Sequence, residues 1–369
     1  MNSSSGLMAS DQISMSAVKP LLQHSEVNIF TFDEIQANEL ESAAIDIARL
    51  GGPQVQGAKT KAAYYATAIA MTFTEQQFSA TRRFANGELS LLIFEGLHDP
   101  GTSDAPLVEL PELSELENDF HCRRLASRSQ ILLQMVSHSA FAYDLDNNGQ
   151  LVRLVGNFKG GGKTKLAGEY TSGAAELSSH SGLALGAHTE APYYCSVKYS
   201  GSHSPAPSSL ILTARWNPQC EPTTVIPMHD IIAKIGSHNA LALTAKVFKF
   251  SRSDSFVSGK GEDGRDVSIL DIDDQGAFAI RYNAYRFCVN EDAPLSVKSA
   301  FQCLNNEIEQ SKMVQYAPQP SNAIVINNCR ALHCRDEIKD NRRLLVRLFG
   351  YSRDAEGIIL SEDPLLMQG

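Results

Sequence analysis

Apolar positions recur at helical spacing through the first third of the chain and at strand spacing after about residue 140. From Thr31 onward, Ile35, Leu40, Ala44 and Ile47 recur at helical spacing, and Gly51-Gly52-Pro53 stops the run. Residues 60–85 and 112–138 read as helices too, the second entered through Pro111 and an acidic first turn that suits the helix dipole. Beyond residue 140, short β-branched and aromatic runs are separated by Gly, Pro, Asn and Asp. They predict strands at Leu151–Val155, Leu183–His188, Leu210–Ala214, Leu241–Phe250, Phe278–Tyr282, Ala323–Ile326 and Leu344–Tyr351. Helices followed by many short strands predict an α+β fold in which helices brace a β-sandwich or barrel. The polar, Gly-rich stretches 156–182 and 251–275 predict lid or binding loops. Residues 1–27 show no period and predict a loosely held leader before one domain over 28–369. Within it, 28–140 is mainly helical support and 141–355 is the β core.

Composition narrows the function. A chain of 369 residues, 43% hydrophobic, buries a large core. The formal charge of −10 argues against a nucleic-acid partner, since phosphate binding needs clustered Lys and Arg. No run approaches the roughly 20 apolar residues that cross a bilayer, and no basic-then-apolar segment opens the chain. The expectation is a cytoplasmic protein acting on a small molecule, with homo-oligomerisation left open. Seven scattered cysteines read as reduced thiols. Gly160-Gly161-Gly162-Lys163-Thr164 fails as a phosphate loop because Asn157 stands where the first glycine belongs. No Gly-x-Ser-x-Gly nucleophile elbow occurs.

His188-Thr189-Glu190 closes a predicted strand, and period-two geometry puts His188 and Glu190 on one face. An imidazole and a carboxylate so placed can take two adjacent corners of a metal's coordination sphere. The best third ligand is His333, which follows the strand Ala323–Ile326 and the turn Asn327-Asn328-Cys329-Arg330. Two His and one carboxylate on one face of iron leave open positions for a cosubstrate and O₂. Arg343 and Arg347, ten and fourteen residues past His333, share a face of the last long predicted strand. Two inward guanidiniums on a buried strand need anions to meet them.

On these motifs residues 150–353 resemble the 2-oxoglutarate-dependent dioxygenases of the clavaminate synthase-like and taurine dioxygenase-like group. The resemblance implies a double-stranded β-helix (jelly-roll, cupin-like) core braced by N-terminal and inserted helices. It implies Fe(II) bound by His188, Glu190 and His333, with 2-oxoglutarate and O₂ as cosubstrates. Arg343 would then anchor the far carboxylate of 2-oxoglutarate, Thr213 would support it, and Arg347 would face a 2-oxoglutarate or substrate carboxylate. Glu in the first motif, and the similarity of residues 327–335 to an Asp-Asn-Arg-Arg-x-x-His-Gly-Arg stretch, point to hydroxylases of free amino acids. Asn157 and Ser178 match positions that hold the amino acid backbone. Asn283 and Tyr285 stand where arginine-hydroxylating members carry an acidic pair, which turns the expectation away from a cationic substrate side chain.

The chain departs from that pattern at Cys334, where a glycine is usual, and in a His333-to-Arg343 loop about four residues shorter. Two other classes use similar residues: a metal-dependent isomerase or hydrolase on a cupin-like barrel, and a non-catalytic small-molecule-binding protein.

Overall fold

The computed structural model describes residues 25–99, 105–158, 182–190, 203–251, 264–272 and 277–369. The leader to residue 24, the Gly160–Thr164 stretch, Ser178 and much of both expected lids lie outside them.

The N-terminal part is not helical throughout. Val27–Thr31 (β1) pairs in parallel with Leu91–Glu95 (β2), and both join the large sheet. Between them lie Glu34–Leu50 (α1), Ala58–Ala70 (α2) and Glu75–Ala85 (α3), so the expected 60–85 helix is two. Asp33 and Thr74 each close a capping box, which satisfies the first free N–H groups of α1 and α3. The box glutamines Gln36 and Gln77 also bond each other side chain to side chain, at 2.8 and 3.2 Å, and fix the two helix starts together. Leu113–Glu117 (α4) and Phe120–Met135 (α5) follow, then His138–Tyr143 (β3). Most of α5 is buried because it lies between the sheet on one side and α1 and α2 on the other.

The remaining strands are Arg153–Gly156 (β4), Leu185–His188 (β5), Ser209–Trp216 (β6) and Thr223–Pro227 (β7). The expected strand 241–250 is instead the end of helix His229–Ala242 (α6) plus the short strand Phe248–Phe250 (β8). Gly236, at φ 78°, interrupts α6. Part of the expected 251–275 lid is paired strand: Gly264–Val267 (β9) lies on β8, and Leu270–Ile272 (β10) pairs with Phe278–Ile280 (β11). Then come Phe287–Val289 (β12), helix Leu295–Glu309 (α7), Val314–Tyr316 (β13), Ala323–Asn327 (β14), Ala331–Arg335 (β15) and Leu344–Ser352 (β16). Ile359–Glu362 (β17) and Leu365–Met367 (β18) end the chain.

Two sheets face each other. The large one runs β1-β2-β14-β6-β16-β3-β18-β17 with β4 also on β16, and the small one runs β13-β7-β15-β5. Leu91, Ile93, Leu210, Leu212 and Leu345 from the first pack with Val225, Val314 and Ala331 from the second. The outer face of the large sheet is covered by α1 to α5, and that of the small sheet, through Ile226 and Leu332, by α6 and α7. The architecture is α+β, with two facing sheets and the helices outside them.

Candidate metal centre

Strand pairing brings the three sequence-predicted ligands together. β15 lies antiparallel to β5 with His333 opposite His188, so the two imidazoles share a face. Their ring centroids are 4.2 Å apart. His333 also lies opposite Val225, whose side chain is in the core between the sheets, so this face is the inner one. Glu190 follows the end of β5, and its Oε1 is 3.6 Å from His333 Nε2. Ligand atoms of all three residues lie within 4.8 Å of one another.

Local bonds hold this arrangement. His188 Nδ1 lies 2.7 Å from the Gly186 carbonyl, which assigns the proton to Nδ1 and leaves the Nε2 lone pair for the cluster. Gly186 has no side chain for good reason: a Cβ there would stand 2.7 Å from the Tyr285 ring. Thr189, pointing away, accepts from Tyr282 N and is tied to Tyr282 O through its own N–H. Glu190 is clamped at its backbone by Asn328, whose Oδ1 accepts from Glu190 N at 2.8 Å and whose Nδ2 donates to Glu190 O at 3.1 Å. The same Nδ2 reaches Pro207 O.

Electrostatics match a cation site. Burial, and then the adjacent His333, lower His188 to a pKa of about 4, so its imidazole is neutral, the form that ligates. Burial pushes the Glu190 carboxyl up, but Arg347 and both imidazoles outweigh it and hold the group well below the usual carboxylate range. Arg347 donates directly to Glu190 Oε1 and lies over the Phe349 ring. His333 Nδ1 is buried with no hydrogen-bond partner. A neutral imidazole with a free nitrogen, a second imidazole and an ionised carboxylate on one face are a donor set for a first-row divalent ion such as Fe(II).

Cationic side chains border the centre. Arg347 lies opposite Leu212 and Arg153, all on the inner face, and Arg153 is paired with Asp146 at 2.8 Å. Arg343 immediately precedes β16 and is 1% exposed. Its Nε and Nη1 have no hydrogen-bond partner, and Glu221 Oε2 is 4.0 Å away. Glu221 Oε1 accepts from the Lys339 and Asp340 N–H groups, which braces the short loop leading to Arg343.

Thr213 stands apart from these residues. It lies opposite Val346, one residue out of phase with Arg347, and faces the helices. Its hydroxyl donates to Asn322 O at 2.8 Å and accepts from Arg128 Nη2 at 3.0 Å, so it is not available to a ligand between the sheets. Asn157 continues the inward series Arg153 and Val155 of β4, but it is buried and its amide donates to Asn341 Oδ1 at 2.9 Å. Asn283 forms an isolated bridge with His188, and its Oδ1 accepts from Tyr285 N. Tyr285 is 69% exposed and sits at the rim against Gly186. Ser178 lies outside the described residues. Reading the sequence for ligands passed over Asn328, Glu221 and Arg335. Arg335 carried the clearest signal: it is two residues past His333 and so of the same strand parity.

No protein-family model matches the chain, and no curated protein matches it in sequence. Solved structures do match. The non-heme iron oxygenase OrfP, in complex with Fe, succinate and (3S)-hydroxy-L-Arg, superposes with a TM-score of 0.63 at 16% identity, over 87% of this chain and 93% of that one. An asparagine oxygenase in complex with Fe(II), 2S,3S-3-hydroxyasparagine and succinate gives 0.62 at 15% identity, over 87% and 92%. OrfP with Fe and alpha-ketoglutaric acid gives 0.63 at 16% identity over the same shares as the first. Across most of its length, therefore, the chain has the fold of these non-heme iron oxygenases.

Proposed function

We propose that the chain is an Fe(II)- and 2-oxoglutarate-dependent oxygenase that hydroxylates an unactivated C–H bond of a small molecule, a free L-amino acid or a derivative. The observation that carries the reading is the convergence of His188, Glu190 and His333 on one inner face, together with inward buried arginines, two of which keep N–H groups that have no partner among the described residues. In this reading the facing sheets are the halves of a double-stranded β-helix, and residues 28–369 form one catalytic domain. The similarity in fold to oxygenases crystallised with hydroxylated arginine and asparagine supports the amino acid class.

His188, Glu190 and His333 would hold the metal. Bound there, Fe(II) supplies the oxidation chemistry in which O₂ and 2-oxoglutarate give succinate and CO₂ while one oxygen atom enters the substrate C–H bond. The protein's own part is positioning. Asn328 fixes the backbone that carries Glu190, Gly186 sets the His188 tautomer, and Arg343 offers its free N–H groups to the far carboxylate of 2-oxoglutarate. Arg347, between the metal centre and the Arg153–Asp146 pair, would take the substrate carboxylate, with Asn157, Ser178, Asn283 and Tyr285 around the substrate. No acidic pair stands at Asn283 and Tyr285, which favours an uncharged substrate side chain.

The test is substrate-dependent succinate release with Fe(II), 2-oxoglutarate, O₂ and a panel of free amino acids. Release with at least one of them, lost on chelation of the metal, supports the proposal. Failure of the protein to bind Fe(II) in an anaerobic titration sinks it.

A further inference from the structure

Arg335 closes β15, two residues past His333. Ala331 packs in the core between the sheets and His333 faces the same way, whereas Leu332 packs under α6 and α7. Alternation therefore turns Arg335 inward beside the metal ligands. It is 8% exposed and donates through Nη2 to Leu183 O at 3.0 Å. Its Nε and Nη1 have no hydrogen-bond partner among the described residues, the same condition as in Arg343. The chain beyond β15 stays near this place: Ile338 N–H donates to Gly182 O, next to the Leu183 carbonyl that Arg335 meets, and Lys339 and Asp340 N–H donate to Glu221, which lies 4.0 Å from Arg343 Nε. Among the described residues Glu221 is the carboxylate that meets Arg343, and Glu190, beside His333, is already paired with Arg347.

With Glu190 taken up by Arg347, the two buried cations are left with Glu221, which leaves a net positive charge and four nitrogen atoms with no hydrogen-bond partner among the described residues. Burying such groups without partners costs free energy that a bound anion removes. A single carboxylate has the charge and the paired acceptor oxygens to meet two guanidiniums.

We infer that Arg335 and Arg343 together clamp the far carboxylate of 2-oxoglutarate, Arg335 taking the supporting part expected of Thr213, whose hydroxyl is committed to the other face of the sheet. This rests on the oxygenase reading above. The clamp adds a residue to cosubstrate recognition that the spacing of Arg343 from His333 did not indicate. It also suits the short loop between them, which Glu221 holds through the Lys339 and Asp340 N–H groups while its other oxygen lies 4.0 Å from Arg343.

The test compares two ligands by anaerobic calorimetry on the Fe(II)-loaded protein: 2-oxoglutarate, and 2-oxovalerate, which keeps the keto acid end but lacks the far carboxylate. R335Q is expected to weaken 2-oxoglutarate about ten- to hundredfold, the loss of a charge-assisted pair, and to leave 2-oxovalerate unchanged. R335K keeps the charge without the fork and is expected to fall between wild type and R335Q. A 2-oxoglutarate affinity within twofold of wild type in R335Q, or equal losses for both ligands, overturns the clamp. If R335Q does not fold, R335K decides: a loss confined to 2-oxoglutarate supports the clamp, and no loss overturns it. Wild-type protein that binds Fe(II) but neither keto acid overturns the oxygenase reading itself, a result distinct from any outcome in the variants.

Discussion

Both faces of the large sheet keep some buried polar atoms without a partner among the described residues, Arg128 Nε and Arg124 Nη2 under the helices included, but only the inner face gathers them beside a cluster of metal-ligand side chains. On the outer face, under the helices, Arg128 commits its terminal nitrogens to His98 O, Thr213 Oγ1 and Pro320 O, and His138 Nδ1 meets Ser209 Oγ at 2.7 Å. Between the sheets, Arg343 and Arg335 keep N–H groups with no acceptor among the described residues, and His333 Nδ1 has no partner there either. The same strands supply both sides: Thr213 on β6 and Arg347 on β16 are one register step apart and face opposite ways. Thr213 and the terminal nitrogens of Arg128 act as internal struts, whereas Arg335 and Arg343 turn N–H groups toward the space between the sheets, where a bound anion would meet them.

If that contrast holds, inner substitutions should change binding and turnover, and outer ones stability. The largest effect is expected from Glu190→Ala or His333→Ala, each of which should abolish substrate-dependent succinate release; undiminished turnover in both would remove the basis for a metal centre here. On the outer face, burial lowers His138 to a pKa of about 4. Its unfolded value is about 6.5, so between these pH values the unfolded chain binds the extra proton. Stability is then complete above about pH 6.5 and falls as the pH drops toward 4, by up to about 3 kcal/mol. Denaturation of a His138→Gln variant across this range should show a flatter profile; an unchanged slope would assign the acid sensitivity elsewhere.

Arg343→Lys retains charge but loses the fork, and should raise the 2-oxoglutarate requirement about tenfold or more with Fe(II) affinity intact. If only the amino acid requirement rose, Arg343 would belong to the substrate instead. Asn328→Ala removes the bonds that hold Glu190, and a weakening of Fe(II) binding by about tenfold is expected from a titration. The smallest change in function is expected from Thr213→Val. It should cost about 1–3 kcal/mol in denaturant unfolding by stripping Arg128 of a partner, with 2-oxoglutarate affinity unaltered. A loss of cosubstrate affinity there would return Thr213 to the site.

Helix α1 and the strands at 210, 323 and 344 were legible because their apolar period is local and strong. Strands β1 and β2 were not, since five residues, with Asn28 inside one and Glu95 ending the other, carry little period of their own beside long helical patterns. The run at 241–250 misled for a related reason: β-branched and apolar residues near a helix end resemble a strand until packing against α7 decides the matter.

By itself the sequence determined which donors belong together along each strand: His188 with Glu190, and the same-parity pair Arg343 and Arg347. Period two is a property of the backbone and needs no partner. Only the tertiary structure decided which strand lies opposite which, and so turned Thr213 toward the helices, placed His333 across from His188, and gathered Arg335, Arg343 and Glu221 in one buried cluster. The register between strands more than a hundred residues apart is set by how two sheets close over a shared core, and no local pattern encodes it.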